Sequence, residues 1–479
     1  MRTRNMTRGT IVTRRVALAT ALVVLAGCHG PKERPTAGQP IPLGLTHVVP
    51  ASEQAKAWRT FVAGLRDKWK GKTLRVISWD DNRVAGRLVP DFERLTGAKV
   101  KMELHPYQTT YLLETFLGSS KSSSQDIFVI DMPWVGKFAA AKYVEPLNAY
   151  LAKTPKELID HRDFFKVMSS GAVWENDITG LPYTPVFVFN IYNNALLRRA
   201  GVKPPRDYDD LVRVARAVTE RVDGAYGVVM NNQTGTAVGQ AYFEYIYNMG
   251  GKPFASEYPG SPDYYADMTP QFTSPQSIAV VDLFKKLLKY QPPERMNVAW
   301  DARFDAFARG RAALMSTWNF DISPLLDPKL SVVGDDFGVQ PILHKKGVTL
   351  NTPVGGWEIA INRHARNKDL AWDFMVWFTS PQVGTRFASA GGFPTRYSVL
   401  DNQELARRFP YYRILRQVVD TAFPAFRPQI PESFDVIEVL GTWIAKALYG
   451  ELSTREAMIR ANQEVGLLLK EAGYTVHGV

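Results

Sequence analysis

Residues 73–105 read TLRVISWDDNRVAGRLVPDFERLTGAKVKMELH. Apolar runs at residues 74–79 and 100–104 predict two short strands, and the apolar positions between these runs recur at helical spacing. Gly97 follows at a position typical of a helix C-cap, and Pro90 predicts either a late helix start or a kink. A strand–helix–strand unit of this length predicts two parallel strands in one sheet.

Strands and helices continue to alternate along the chain, which predicts an α/β fold with a largely parallel sheet. Asp207 is a candidate N-cap for a helix in the second half of this series. The further predicted strands are residues 127–130, 186–191, 226–230, 312–317 and 358–362. The further predicted helices are residues 208–220, 273–290, 301–309, 368–379, 441–448 and 454–469.

The composition is that of a globular protein with two or three domain-sized units, because 45% of the 479 residues are hydrophobic and 22% are charged. A single cysteine, Cys28, excludes an intramolecular disulfide. The seven histidines lack paired spacing, so no metal site is predicted. Common hydrolase, metalloprotease and dinucleotide-binding motifs are missing from the sequence, so neither a catalytic residue nor a cofactor is predicted.

The net charge gives little reason to expect nucleic acid as a partner. The formal charge is +11, but five arginines of residues 1–27 contribute +5, which leaves 11 − 5 = +6 for residues 28–479. No block of Lys and Arg with interleaved aromatic residues stands out in the sequence.

The N-terminus predicts export. Residues 16–27 are apolar and follow a basic segment, but they are too few to span a bilayer, which takes about 20 residues. The sequence LAGC at residues 25–28 resembles a bacterial lipobox, which implies cleavage before Cys28 and lipidation of its thiol; the alternative is a buried cysteine. A faint twin-arginine pattern leaves the export route open. The proline-rich residues 29–50 predict an extended tether.

Candidate ligand contacts follow from the rule that open parallel sheets bind ligands at the carboxyl ends of their strands. Aromatic, acidic and amide side chains are concentrated there, as sugar binding requires, because sugar rings stack on aromatic faces and their hydroxyls need polar partners. The residues at these strand ends are Trp79, Asp80, Asp81, Asn82, His105, Pro106, Tyr107, Gln108, Asp131, Trp134, Trp318, Asn319, Phe320 and Asp321, and Gly355-Gly356-Trp357 leads into a later strand. The candidate contacts chosen among them are Asp80, Asp81, Asn82, Asp131, Trp134, Trp318, Phe320, Gly356 and Trp357.

Each candidate has a structural alternative. Asp81, Asn82 or Asp131 can equally cap the helix that follows it. Trp318 and Trp357 can be core residues, although their positions beside strand ends favour ligand stacking. Two carboxylates would also suffice for a glycosidase, and the sequence gives that possibility no specific support.

An ordered set of segments resembles one family: the extracellular solute-binding lipoproteins of ABC importers, in the sugar-binding cluster known as family 1. The segments are FERLTG (92–97), residues 126–131 leading to Trp134 and EPL (145–147), GLPY (180–183) leading to YNN (192–194), FARGRAALM (307–315), GGW (355–357), AWDF (371–374) and GFPTR (392–396).

This resemblance implies a two-lobed periplasmic-binding-protein-like fold of type II, with the ligand cleft between the lobes. The implied organisation is a signal peptide (1–27), a segment with the lipidated Cys28, the tether and a helix (28–72), lobe one (73–184 and 336–395) and lobe two (185–335 and 396–479). It also adds Tyr183 and Arg427 as ligand contacts and the Gly-Gly-Trp segment as a turn. Where some disaccharide binders of the family have an acidic residue after Leu-Pro, this chain reads Tyr183-Thr184.

The implied function is that of a non-enzymatic, monomeric subunit anchored outside the cytoplasmic membrane through Cys28, in the periplasm or at the cell surface. It would bind a disaccharide or oligosaccharide and deliver it to the transmembrane subunits of an ABC permease. The alternatives are the same fold with glycerol phosphate or another polar metabolite, a sensor subunit for a membrane receptor, or a surface glycoside hydrolase.

Overall fold

The structure is a computed structural model that describes residues 51–79, 83–256, 265–409, 411–423 and 426–478. The predicted signal peptide, Cys28, the tether, Asp80, Asp81 and Asn82 lie outside the described residues. The strands are β1 (Thr73–Trp79), β2 (Lys99–His105), β3 (Ile127–Asp131), β4 (Val173–Trp174), β5 (Asp177–Ile178), β6 (Leu181–Asn193), β7 (Tyr226–Val229), β8 (Ala312–Trp318), β9 (Phe337–Pro341), β10 (Thr352–Ile361) and β11 (Ala422–Phe423).

Helices pack around this sheet and make up most of the C-terminal third. They are α1 (Ala51–Leu65), α2 (Arg83–Gly86), α3 (Val89–Thr96), α4 (Tyr107–Ser119), α5 (Val135–Ala140), α6 (Asn148–Lys153), α7 (Lys156–Ile159), α8 (Lys166–Gly171), α9 (Asn194–Ala200), α10 (Tyr208–Arg221), α11 (Thr236–Ile246), α12 (Pro275–Leu287), α13 (Trp300–Ala308), α14 (Ile322–Leu325), α15 (Lys368–Phe378), α16 (Pro381–Ser389), α17 (Tyr397–Leu400), α18 (Gln403–Arg408), α19 (Tyr412–Val418), α20 (Ser433–Tyr449) and α21 (Thr454–Glu471).

The main sheet has the order β2-β1-β3-β10-β6-β8-β7, with β9 paired to β6 and β11 paired to β10. As predicted, β1 is parallel to β2, and β3 is parallel to β1. In contrast, β10 is antiparallel to both of its long neighbours, β3 and β6, so the sheet is mixed. The parallel pair β7 and β8 forms the opposite end of the sheet.

Strand β6 connects the two halves of the sheet. Its first part pairs with β10 as far as Phe187, and from Val188 onward it pairs with β8 and β9. Pro182 and Pro185 lie in the first part, and the register with β10 shifts between Trp357 and Glu358. Because proline lacks a backbone donor, such an irregular ladder is expected beside it. The loops that meet at this crossing form the site described below.

Several local predictions are confirmed. Gly97 ends α3 with a left-handed φ of 72°, and its N–H bonds to the carbonyl of Glu93. Helix α3 begins at Val89 with proline in its first turn, so Pro90 marks a late start. The Asp207 carboxylate caps α10 by accepting from the N–H of Asp210 at 2.8 Å.

The predicted Gly-Gly-Trp turn is wrong. Gly355, Gly356 and Trp357 lie inside β10, which begins at Thr352 rather than at residue 358. A Cβ atom on Gly356 would lie 2.4 Å from Cε of Met168, so glycine permits close packing on that face of the strand. A side chain at these positions would collide with a neighbouring element, so glycine is favoured there.

Helices α11 and α20 pack closely against each other through glycine. A Cβ on Gly239 would lie 2.1 Å from the carbonyl oxygen of Ile437, and a Cβ on Gly441 would lie 1.9 Å from that of Gly235. This contact fixes α11, which contributes a side chain to the site. Among the described residues, no helix combines the length and the apolar character needed to cross a bilayer.

Candidate functional site

A cavity of about 320 Å³ opens where β1, β2, β3 and β8 end. This volume falls at the lower end of the range typical of small-molecule sites. Its lining combines aromatic rings with a few polar groups. The lining residues are Trp79, Pro106, Tyr107, Asp131, Val186, Gln240, Asn297, Ala299, Trp300, Asp301, Ala302, Trp318, Phe320, Gly355, Trp357 and Arg427.

One side of the cavity, the sheet wall, consists of Trp79, Tyr107, Asp131 and Trp357. The rings of Trp79 and Trp357 stack with centroids 3.8 Å apart and an interplanar angle of 5°. Tyr107 meets Trp357 edge-on at 5.8 Å. Each aromatic ring is held by another, so the wall presents a preformed apolar surface.

A second group of lining residues, the helical wall, consists of Gln240, Trp300, Trp318, Phe320 and Arg427. It meets the sheet wall where the rings of Tyr107 and Trp300 lie 6.0 Å apart. Gln240 is on α11, Trp300 begins α13, and Trp318 ends β8. Trp318 is 5% exposed, while Trp300 and Phe320 are half-buried. Both walls therefore contribute aromatic side chains to the cavity lining.

Asp131 joins the two walls. Its carboxylate accepts from the Tyr107 hydroxyl at 2.9 Å and from Nη1 of Arg427 at 3.3 Å. Asp131 occupies the cap position of the short 3₁₀ turn that follows β3, yet its side chain makes no capping hydrogen bond. The capping alternative is therefore not realised, and the carboxylate faces the cavity.

Arg427 is 5% exposed and is bonded to both walls, since its Nη1 also donates to Oε1 of Gln240 at 3.1 Å. Its ion pair with Asp131 balances one positive charge with one negative charge in the lining of the cavity. Burial, followed by the negative charge of Asp131, raises the pKa of Tyr107 well above its ordinary value, so its hydroxyl keeps its proton.

Five predicted contact residues line the cavity: Asp131, Trp318, Phe320, Trp357 and Arg427. Trp318 and Trp357 are both buried and at the cavity surface, which reconciles the two interpretations open for them.

Three other candidates, Trp134, Tyr183 and Gly356, do not line the cavity. Trp134 is 1% exposed and packs edge-on beneath Trp357 at 5.3 Å. Tyr183 lies beyond Trp79 and packs on Phe378, with ring centroids 4.7 Å apart. Gly356 faces away from the cavity because successive residues of a strand point to opposite faces; the cavity-facing glycine is Gly355.

The candidate set left out Trp79, Tyr107, Gln240 and Trp300. Trp79 ends β1 and Tyr107 follows β2, so the strand-end rule named both, but neither was chosen as a candidate contact. Trp300 starts α13, which was predicted to begin one residue later, at Asp301. Gln240 is on α11, a helix that was not predicted from the sequence.

A comparison with protein families matches residues 81–385, more than half of the chain, to the model of the bacterial extracellular solute-binding proteins. The chain belongs to this family. As a solute-binding protein it binds rather than transforms its ligand, which sets aside the glycosidase alternative.

Relatives of this solute-binding protein have different ligands in their names. A probable amino-acid ABC transporter periplasmic-binding protein of Sinorhizobium fredii is 28% identical over 333 residues, 67% of this chain and 71% of that protein. The maltotriose-binding protein of Pyrococcus abyssi is 27% identical over 294 residues, 58% of this chain and 56% of that protein.

Among solved structures, an ABC transporter solute-binding protein of Agrobacterium radiobacter in complex with ribitol superposes with a TM-score of 0.76 at 26% identity. The match covers 84% of this chain and 99% of that chain. The α/β fold of this solute-binding protein is therefore the predicted two-lobed one, with the ligand cleft between the lobes.

Proposed function

We propose that this protein is the substrate-binding subunit of an ABC importer and binds an uncharged carbohydrate, a disaccharide or oligosaccharide, in the cavity. The observation that carries the proposal is the pair of aromatic walls around the Asp131–Arg427 ion pair. Sugar rings have apolar C–H faces that stack on such walls, and hydroxyl groups that hydrogen bond to carboxylate, amide and guanidinium groups. The sugar named for the Pyrococcus relative supports the same class.

A sugar alcohol is the second candidate. The ribitol complex of the Agrobacterium protein is similar to this chain over nearly its whole length, and a cavity of about 320 Å³ suits a small ligand. An open-chain polyol offers hydroxyls without the flat ring face, so it would use the polar groups more than the aromatic walls.

Charged metabolites such as glycerol phosphate are less well supported. A phosphate needs cationic groups or free backbone donors directed at it. The guanidinium of Arg427 is engaged by Asp131 and Gln240, and this pairing leaves it less charge to offer an anion.

The proposal also includes a lipid anchor in the membrane and permease subunits as protein partners. Lipidation of Cys28 would anchor the protein at the outer side of the cytoplasmic membrane, where it would act as a monomer. Lobe one would consist of residues 73–184 and 336–395, and lobe two of residues 185–335 and 396–479. Closure of the lobes on the sugar would create the surface that the permease subunits bind. A role in sensing for a membrane receptor would use the same closure.

The test is calorimetry of the soluble form, residues 29–479, with maltose, maltotriose, ribitol, D-mannitol and glycerol phosphate. We expect a sugar to bind and to be recovered chemically unchanged. Trp318→Ala should weaken that binding by more than about tenfold, since a lost stacking contact is worth on the order of 1–3 kcal/mol.

The matched control is Trp443→Ala. The Trp443 indole lies on α20, away from the cavity, and donates to Glu464 at 2.7 Å. We expect it to leave the affinity unchanged. Binding confined to glycerol phosphate, or equal losses in both variants, would contradict the carbohydrate site.

A further inference from the structure

Three buried charged residues lie directly behind the helical wall. Arg303 and Glu244 are each 2% exposed, and Asp321 is 8% exposed. We call Arg303, Glu244 and Asp321 the buried ion cluster. A charge is costly to bury, and each of these residues is close in sequence to a cavity residue, so the arrangement calls for a role beyond packing.

Arg303 holds two parts of the helical wall. One turn after Trp300 on α13, its Nη2 donates to Oγ1 of Thr317 at 2.7 Å and lies 3.8 Å from the carboxylate of Asp321. Thr317 in turn donates to Asp321. Thr317 and Asp321 enclose the segment that carries Trp318 and Phe320, so this network fixes the end of β8.

Trp300 is oriented by the same guanidinium. With the Asn231 amide turned so that its oxygen faces both donors, that oxygen accepts from Nε1 of Trp300 at 3.3 Å and from Nη1 of Arg303 at 3.2 Å. The indole and the guanidinium thus share one acceptor, so Asn231 couples the position of the Trp300 ring to that of Arg303.

Glu244 supports the remaining part of the wall. It follows Gln240 by one turn of α11, and the two side chains are hydrogen bonded. Because the Gln240 oxygen accepts from Arg427, the amide group of Gln240 faces Glu244. Glu244 thereby fixes which atom Gln240 presents to Arg427.

Burial raises the pKa of Glu244 to about 7 and that of Asp321 to about 6, while Arg303 opposes both shifts. Arg427 also lowers the pKa of Glu244, and Asp301 on α13 raises that of Asp321. Tyr245 on α11 and Tyr208 on α10 also face Glu244, and burial raises the pKa of both hydroxyls, so they stay neutral. Both carboxyl groups therefore change charge near neutral pH, whereas Arg303 remains a cation.

We propose that the buried ion cluster positions the helical wall and makes ligand affinity depend on the protonation state of Glu244 and Asp321. When both carboxylates are ionised, Arg303 is balanced and the wall is ordered. When both are protonated, Arg303 loses its two buried negative partners and keeps only the charge of the exposed Asp301. Its contacts with Thr317 and Asn231 then weaken, and the ligand is held less tightly. This inference rests on the proposed function only for the identity of the ligand.

The experiment follows the environment of the tryptophans of the helical wall and, separately, the affinity for sugars. Protein labelled with 5-fluorotryptophan is followed by fluorine NMR between pH 5 and pH 8.5, with the Trp300 and Trp318 signals assigned by Trp→Phe variants. Calorimetry with maltose, ribitol and D-mannitol covers the same pH range. The variants are Glu244→Gln and Asp321→Asn. The control is Glu114→Gln, a buried glutamate of α4 whose pKa burial also raises and whose carboxylate accepts from the N–H of Val129.

We expect the Trp300 and Trp318 signals to titrate near neutral pH, and affinity for the sugar that binds to fall by about threefold or more from pH 8 to pH 5.5. Each cluster variant should remove part of the titration and flatten the affinity profile, while Glu114→Gln keeps both. If the signals titrate but no sugar binds, the cluster proposal holds and the proposed function fails.

Signals of Trp300 and Trp318 that stay constant across this range would overturn the proposal. So would variants that lower affinity equally at every pH, because that result describes a structural role alone.

Discussion

Glu358 is a fully buried carboxyl group for which the described residues provide no hydrogen-bond partner at either oxygen. It follows Trp357 in β10 and points to the opposite face of the strand. Burial, with a further contribution from the negative charge of Asp131, raises its pKa well above the ordinary value. The side chain is therefore neutral in the folded protein at pH values where it is charged in the unfolded chain.

The protonation of Glu358 predicts that stability falls as pH rises. Its folded-state pKa exceeds its unfolded value, so its contribution is complete below the unfolded pKa of about 4.5 and declines as pH rises toward the folded pKa. Glu358→Gln should raise the free energy of unfolding at pH 8 and change it little at pH 4. Urea denaturation across this range tests it, with exposed Glu220→Gln as the control.

Equal pH dependence of stability in Glu358→Gln and the parent protein would contradict this prediction.

The position of a residue in the sequence does not decide whether its side chain reaches the cavity. Trp134 and Tyr183 were expected in the site because they follow strand ends or family segments, yet they lie behind the wall. Nearness to a strand end does not determine which way a side chain points.

The close packing of α11 and α20 is the contact on which the helical wall depends. Replacing Gly441 by alanine would place a Cβ 1.9 Å from a backbone oxygen, and backbone cannot move aside as a side chain can. We expect Gly441→Ala to destabilise the protein by on the order of 1–3 kcal/mol and to displace Gln240. Thermal unfolding and sugar affinity measure the two effects.

Gly64→Ala is the matched control for this substitution. Gly64 is also helical, but a Cβ there would meet nothing within 4 Å, so alanine should stabilise the helix slightly. If Gly441→Ala leaves both the thermal stability and the sugar affinity unchanged, the two helices can separate without consequence, and the prediction is wrong.

At the scale of elements, most strands and helices were predictable because their apolar residues recur with a clear period. Helix α11 was not, since all of its residues are buried and its few polar residues do not form the exposed, charged face that marks a surface helix. The start of β10 was missed because Pro353, Gly355 and Gly356 are poor strand formers. Their place in the sheet is set by tertiary packing.

At the scale of the whole molecule, the Asp131–Arg427 pair joins elements 296 residues apart. The wall residues at strand ends could be identified from the sequence, and Arg427 from the family resemblance, whereas Gln240 and Trp300 reach the cavity only through the packing of distant helices. Removing one partner of a buried ion pair leaves the other charge uncompensated.

A double-mutant cycle tests this link between the walls. Arg427→Met should destabilise the protein by on the order of 3 kcal/mol, because Asp131 then keeps only the Tyr107 hydroxyl of its two described partners. Adding Asp131→Asn should recover part of the loss. Guanidinium denaturation of the parent, both single variants and the double variant gives the coupling energy, and strictly additive effects would contradict the prediction.

The position of β10 in the sheet also affects how the protein is made. The strands β3 and β6 can be joined only after β10 has been synthesised, roughly 220 residues after the end of β3. At about 5–20 residues per second, the ribosome needs roughly 10–45 seconds for that length. For this time the edge of β3 that pairs with β10 has no partner strand, and the nascent chain must be shielded from other chains until β10 is available.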